Sequence, residues 1–192
     1  MSGAVRRTHG ATWADIADRP EEDRLEIVGG EVVQKAAPTW DHGLAQTSIS
    51  AFLVGPYQWG RGDGPGGWWF GSEVDIELET HEVYRPDVAG WRKDRVPKMP
   101  PGRPVRVRPD WSAEVLSKSN AERDLGDKLF GDHRAGVPHY WILDPQHRTL
   151  TVYRYATEGY FVALTAGRGK KVRAEPFEEV EIEIDLLFEG AD

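Results

Sequence analysis

Hydrophobic and polar residues alternate along several segments of the chain, with the period of two that is typical of β-strands. In residues 68–78, Val74, Ile76 and Leu78 alternate with acidic residues, which predicts one half-buried strand with a solvated acidic face. The acidic residues on that face are Glu73, Asp75, Glu77 and Glu79. Further strands are predicted at residues 83–91, 111–116, 139–143, 149–155, 160–165 and 179–184.

Two longer segments have the spacing of helices. Residues 41–59 predict one helix, because Leu44, Ile49 and Phe52 recur on one side. A second helix is predicted from Ser119, which forms a capping box with Glu122, to Ala135, where a glycine follows and ends it. In this second helix, the apolar residues Ala121, Leu125 and Leu129 predict the side that faces the core.

The order of these elements predicts the fold class. The strand, helix and strand of residues 111–143 form a βαβ unit with two parallel strands and a right-handed crossover. Gly29-Gly30 predicts a hairpin between residues 25–28 and 31–34. We therefore expect an α/β or α+β fold, with a mixed central sheet flanked by helices, as a single domain over residues 13–192 after a flexible N-terminus at residues 1–12.

Composition narrows the choice of function. The 192 residues include no cysteine, which excludes disulfides and cysteine-ligated zinc. No apolar run reaches the ~18 residues of a membrane span, and no signal peptide is visible, so we expect a cytoplasmic protein without a membrane partner. The net charge of −8 argues against extensive duplex binding. The basic segment 93–108 is interpreted as a solvated loop.

Two carboxylates stand out as candidates for chemistry. Asp87 follows Pro86 on one predicted strand, and Glu114 lies on the next. Carboxylate oxygens are preferred ligands of Mg²⁺, and a bound metal with a nearby lysine can promote phosphodiester hydrolysis. A known arrangement of such metal-binding carboxylates is Pro-Asp followed further along the chain by Asp/Glu-x-Lys. Pro86-Asp87 and Glu114 fit this pattern, but Leu116 occupies the position of the lysine.

Lys128 is the candidate substitute for the missing lysine, since it lies at the edge of the inward side of the second helix. The alternative for Lys128 is an ordinary surface ion pair with Asp124 at i−4. Lys118 is a rival for the same role. Asp110 lies about 13 Å along the strand from Glu114, too far to share one metal with it.

His42 and Glu31 are weaker candidates for the site. His42 begins the first long helix, where a ligand, a base or a structural cap are all possible roles. Glu31, on the early hairpin, would supply a third acidic group or be a simple exposed residue.

The chain resembles the Uma-two family of restriction-endonuclease-like proteins, within the PD-(D/E)XK nuclease superfamily. The resemblance covers roughly residues 20–190, and the segments that carry it are Gly29-Gly30-Glu31-Val32-Val33, Pro86-Asp87-Val88, residues 113–117, 124–128, 135–145 and Thr151-Val152-Tyr153. It implies a restriction-endonuclease-like fold and a metal-dependent endonuclease that uses Mg²⁺ (or Mn²⁺).

The resemblance also assigns roles to residues. It implies that Asp87 and Glu114 bind the metal, that Val115 offers its backbone carbonyl, that Lys128 is the displaced lysine, and that Glu31 and His42 line the site. One departure is Lys118, which stands where the family often has proline, so Lys118 stays a rival of Lys128. The expected substrate is nucleic acid, DNA in the first place, and a homodimer is a possible form for cutting both strands. The alternative is an inactive nuclease fold that acts as a binding module.

Overall fold

The computed structural model describes residues 10–117 and 121–189. Its main feature is a mixed six-stranded sheet. The strands are β3 (Trp68–Gly71), β6 (Val88–Arg92), β7 (Trp111–Val115), β8 (His139–Asp144), β9 (Thr149–Ala156) and β10 (Gly159–Ala166). Their order in the sheet is β10-β9-β8-β7-β6-β3. The mixed sheet flanked by helices confirms the predicted fold class.

A second, smaller sheet has the order β2-β1-β5-β4 and consists of antiparallel pairs. Its strands are β1 (Leu25–Val28), β2 (Glu31–Gln34), β4 (Ile76–Glu79) and β5 (Glu82–Tyr84). The predicted hairpin is confirmed, since Gly29 and Gly30 both adopt the positive φ of a tight turn. The N-terminal residues 1–12 were expected to be flexible, and residues 1–9 lie outside the described residues. Within the described part, the backbone N–H of Ala11 donates a 2.7 Å hydrogen bond to the carbonyl of Gly30.

Two predicted strands are each divided between the sheets. The segment 68–78 forms β3 in the large sheet and β4 in the small one, and Glu73 between them adopts a positive φ of 56° that breaks the extended backbone. The segment 83–91 likewise forms β5 and β6, and Pro86 and Asp87 lie between them. The prediction of single strands was wrong here, and its correction places Asp87 where the chain passes from one sheet to the other.

The parallel pairing of β7 and β8 confirms the predicted βαβ unit. Its connection contains α2 (Ala121–Leu125) and α3 (Asp127–Arg134), which are separate helices because the backbone of Gly126 is not helical. Gly136 follows α3 with a φ of 75°, which confirms the prediction that this glycine ends the helix. The predicted cap at Ser119 lies outside the described residues.

The main core lies between the large sheet and α1 (Trp40–Leu53), where Ala45, Ile49 and Leu53 are buried. Phe177 packs edge-on against the rings of Trp111 and Trp141, at centroid distances of 5.2 and 5.6 Å. The helix continues as a wider π-helical turn over residues 54–58, which agrees with the predicted range 41–59.

The C-terminal region is partly as predicted. The hairpin of β9 and β10 is confirmed. The predicted strand 179–184 is wrong, because only β12 (Ile182–Glu183) is extended, paired with β11 (Lys171–Val172), and α4 (Ile184–Phe188) follows at once. Over the described ranges, no helix combines the length and apolar character needed to cross a membrane.

Candidate active site

Asp87 is the central side chain of the candidate site and is fully buried. Its Oδ1 accepts a hydrogen bond of 2.6 Å from Lys35 Nζ and lies 3.0 Å from His42 Nε2. Its Oδ2 accepts one of 2.6 Å from the backbone N–H of Val115. Gln46 on α1 donates to its backbone carbonyl at 2.8 Å. Both sheets and α1 therefore hold this carboxylate in place.

Glu114 on β7 and Lys128 on α3 form the second half of the site. Lys128 Nζ donates to Glu114 Oε1 and, at 3.0 Å, to Glu26 Oε1, and it lies 3.6 Å from Asp124 Oδ1. Glu114 Oε2 has no hydrogen-bond partner although it is buried, and the Lys35 ammonium lies 3.8 Å from it. The structure thus brings Asp87, Glu114 and Lys128 together.

The first hairpin of the small sheet supplies two more charged groups, Glu26 and Lys35. Glu26 on β1 is buried and also accepts the backbone N–H of Arg85 at 2.7 Å. Lys35 directly follows β2 and donates to the backbone carbonyl of Arg85 at 2.7 Å. These two contacts join the first hairpin to the chain just before Asp87, and so place Glu26 and Lys35 beside the carboxylates of the large sheet.

The inward side of α2 and α3 is charged, which is opposite to the prediction. Leu125, assigned to the core, has 45% of its surface exposed, whereas Asp124, Lys128 and Asp132, spaced four residues apart, are buried. The interpretation of Lys128 and Asp124 as a surface ion pair was wrong, because Lys128 is only 1% exposed. The physical reason is that this helical segment covers a cluster of charges, so charged residues face inward, while Leu125 is exposed and Ala121 and Leu129 are half-buried.

The electrostatics of the cluster are uneven. Burial would raise the pKa of Asp87, but Lys35 and His42 outweigh it and hold that pKa well below its usual range. Burial raises the pKa of Glu114 well above its usual value, and neighbouring Asp87 and Asp124 add to this rise. The pKa of Lys128 is also raised, because its carboxylate neighbours outweigh burial, so this lysine stays charged. The two carboxyl groups of the site therefore differ, with a lowered pKa at Asp87 and a raised pKa at Glu114.

The donor set fits a divalent cation. Ligand atoms of His42, Glu73 and Asp87 all lie within 4.8 Å of one another. Glu114 Oε2, which has no hydrogen-bond partner, is a further oxygen donor close by. Glu73 is 24% exposed, so the cluster meets solvent on this side. Hard oxygen donors with one imidazole suit Mg²⁺ or Mn²⁺.

Three members of the cluster were missed by sequence reasoning. Glu26 carried a weak signal, as a single acidic residue in an apolar strand, and Lys35 carried none. Glu73 had been assigned to a solvated face, as had Asp75, which is buried and bound to Arg85 at 2.8 Å. That assignment was wrong because the acidic residues of 73–77 face arginines of neighbouring segments.

The other candidates lie as follows. Glu31 is exposed at the hairpin turn, four residues from Lys35, or about 13 Å along an extended chain. His42 is in the cluster. Val115 presents its N–H to Asp87, and the role of its carbonyl stays a prediction. Lys118 lies outside the described residues.

The basic segment 93–108 is not simply a solvated loop. Arg95 bonds Asp110 at 2.8 Å, Arg103 bonds Asp75 at 2.6 Å, and Arg106 bonds Glu77 at 2.8 Å. These three arginines are neutralised within the protein, and they leave less positive charge for a phosphate backbone. The same contact explains why Asp110 belongs to an ion pair and not to the site.

Asp132 makes the stability of the protein depend on pH. Burial raises the pKa of this carboxyl to about 7, against a normal value near 4. The unfolded chain loses the proton first, so the free energy of unfolding falls as pH rises from about 4 through 7. Asp132→Asn has no carboxyl to titrate, so we expect its free energy of unfolding not to show this fall. At pH 8, the variant should therefore be favoured over wild type by about 2–4 kcal/mol in the free energy of unfolding.

Urea denaturation of wild type and Asp132→Asn at pH 5 and pH 8 measures this difference. A gap between the two proteins that is the same at both pH values would contradict the assignment.

Comparisons with known proteins agree with the fold. Residues 12–186 match the Uma2 family, whose description is "Putative restriction endonuclease". No curated protein matches the sequence. The fold is similar to a crystal structure from Anabaena variabilis described as "a putative nuclease belonging to DUF820", with a TM-score of 0.72 and 21% identity over 92% of this chain and 97% of that chain. At this identity the likeness shows the fold.

Proposed function

Because this chain belongs to the Uma2 family, described as putative restriction endonucleases, we propose that it is a metal-dependent nuclease that hydrolyses phosphodiester bonds in DNA. The observation that carries the proposal is one buried cluster in which the Lys128 ammonium contacts Glu114, and the Lys35 ammonium lies between Glu114 and Asp87. Asp87 and Glu114 are 27 positions apart in the chain, so only the fold brings them together.

Asp87 and Glu114 are the residues that would hold Mg²⁺ or Mn²⁺, with the carbonyl of Val115 or with His42 and Glu73 as further donors. A divalent cation held by these residues would polarise the phosphate and would lower the pKa of its bound water. Asp87 is ionised at neutral pH, as a ligand must be, because Lys35 and His42 outweigh the effect of burial and keep its pKa low.

Lys128 contributes a fixed positive charge. Its three carboxylate neighbours keep it protonated, and a buried ammonium stabilises negative charge on a phosphate more strongly than an exposed one does. Lys128 also orients Glu114 through their hydrogen bond. Lys118 stays the alternative to Lys128 for this role.

The test is nicking of supercoiled plasmid DNA in Mg²⁺ and in Mn²⁺. Asp87→Asn keeps the shape of the side chain and removes its charge, and we expect at least about 100-fold slower nicking, the size of losing one strong electrostatic contact. The matched control is Asp63→Asn, at an exposed position in the loop after α1, which we expect to nick at the wild-type rate.

The outcomes separate the alternatives. Equal activity in Asp87→Asn and wild type would reject the site. Cleavage of RNA but not of DNA would show that the substrate is RNA. No cleavage of either, in both metals, would reject the nuclease and favour a non-catalytic binding module. That alternative has its own support, since lysines already neutralise the buried carboxylates. The homodimer and the cytoplasmic location stay predictions.

A further inference from the structure

Lys35 occupies a position that has the oxygen environment of a bound cation. Its Nζ lies 2.6 Å from Asp87 Oδ1, 2.7 Å from the carbonyl oxygen of Arg85, 3.4 Å from Glu73 Oε1 and 3.8 Å from Glu114 Oε2. The ammonium is therefore surrounded by three carboxylates and one carbonyl. It lies between the two carboxylates, Asp87 and Glu114, that the proposed function assigns to the metal.

A buried lysine in this place is costly unless its neighbours compensate. The side chain is 3% exposed, and removing an ammonium from water costs several kcal/mol. The surrounding carboxylates offset that cost, and they also avoid their own mutual repulsion while the ammonium lies between them. In the absence of a metal, Lys35 thus stabilises the same oxygens that a divalent cation would bind.

The ammonium and a divalent cation cannot share these oxygens. Mg²⁺ binds oxygen at about 2.1 Å. Asp87 Oδ1 already accepts from the Lys35 ammonium at 2.6 Å and lies 3.0 Å from His42 Nε2, so both of its lone-pair positions are taken, and the ammonium would repel a second cation placed beside it. The other candidate donor set, His42, Glu73 and Asp87, does not avoid the conflict, because Lys35 contacts Glu73 and Asp87 as well.

We propose that Lys35 is an internal competitor of the metal, which fills the cation position between Asp87 and Glu114 and must leave it before a divalent cation binds. Glu73 offers the ammonium another position, because this carboxylate is at 3.4 Å and partly exposed, and Lys35 would share it there with Arg24, which binds it at 3.1 Å. Lys35 then moves toward Glu73 and solvent, and the metal is bound by Asp87 and Glu114. The inference rests on the proposed metal site but not on nuclease activity.

The test is isothermal titration with Mn²⁺, the metal alone. Lys35→Met removes the charge and leaves an unbranched side chain of similar length. We expect the Kd of this variant for Mn²⁺ to be at least about tenfold lower than that of wild type. Lys35→Arg keeps the charge, so it should bind no more tightly than wild type. The matched control is Lys93→Met: Lys93 bonds the carbonyl of Gln58 and packs on Trp69, and the metal affinity should not change.

Thermal unfolding gives a second readout and covers the case in which Lys35→Met is unstable. Without its ammonium, the cluster should be destabilised in metal-free buffer, and Mn²⁺ should raise the Tm of Lys35→Met more than that of wild type. If Lys35→Met does not fold without metal, circular dichroism during a Mn²⁺ titration decides: folding induced by Mn²⁺ supports the proposal, and its absence at millimolar Mn²⁺ overturns it.

The results also distinguish this inference from the proposed function. If wild type and folded Lys35→Met bind Mn²⁺ equally, Lys35 is not a competitor and the metal-dependent nuclease stands. If only Lys35→Met binds, the competitor is established and the wild type is not a metal-dependent enzyme. If neither binds, both proposals are rejected. Tighter binding that persists in the double variant Lys35→Met/Asp87→Asn would place the metal elsewhere and would also overturn the inference.

Discussion

Replacing Lys128 with methionine is expected to abolish nicking and to lower the free energy of unfolding by about 3–5 kcal/mol. The reason is that Lys128 is buried and its ammonium contacts Glu114, Glu26 and Asp124. Methionine fills the volume but leaves these carboxylates without their counter-charge. Breaking one side of a buried ion pair costs more than the pair itself contributes, because an uncompensated charge remains.

A second substitution separates the two effects. Glu26 also contacts the Lys128 ammonium, at 3.0 Å, but it is not an assigned metal ligand. Adding Glu26→Gln to Lys128→Met therefore removes one of the charges that the methionine leaves uncompensated. We expect the double variant to regain part of the stability and none of the activity. The exposed Lys170→Met is the matched control for the loss of a lysine and should change neither quantity. Nicking that survives in folded Lys128→Met would transfer the catalytic role to Lys118.

The helical segment with Lys128 shows where sequence reasoning succeeds. The strand of Glu114, the helical region after it and the parallel strand β8 follow from local periodicity and capping signals, which depend on neighbours in sequence. Once Glu114 is on a strand that ends near the start of a helix, a lysine inside that helix is within reach. The position of Lys128 could be predicted for this reason, even though the inward side of the helix was assigned wrongly.

Glu26, Lys35 and Glu73 could not be predicted in the same way. Glu26 and Lys35 reach the site only because the first hairpin contacts Arg85, 59 and 50 positions further along the chain, where β5 passes into β6. Glu73 reaches it because the break between β3 and β4 lies beside the same point, where the backbone N–H of Glu73 donates to the carbonyl of Pro86 at 3.2 Å. The expectation that buried helix faces are apolar also fails here. A helix that covers a charged cluster buries Asp124, Lys128 and Asp132 instead, and such exceptions to hydrophobic patterning are expected at functional sites.

The close approach of α3 to Tyr84 leads to a second large effect. Gly131 is three residues after Lys128 and on the same buried side of α3. A Cβ at this position would lie only 1.9 Å from Tyr84 Oη. Tyr84 is itself buried and donates a 2.7 Å hydrogen bond to Glu82, so the ring has little freedom to move away. We expect Gly131→Ala to lower the free energy of unfolding by about 3 kcal/mol, the upper range for overpacking.

The displacement should also reach the active site, because moving α3 outward separates the Lys128 ammonium from Glu114. Urea denaturation and plasmid nicking are the measurements. Gly43→Ala is the matched control: Gly43 is also helical, a Cβ there meets nothing within 4 Å, and alanine should stabilise α1 by about 0.5–1 kcal/mol. Adding Tyr84→Phe to Gly131→Ala removes the nearest clashing atom and should restore part of the stability. If Gly131→Ala is as stable as wild type, α3 does not pack this closely on Tyr84, and the position of Lys128 would lose its structural support.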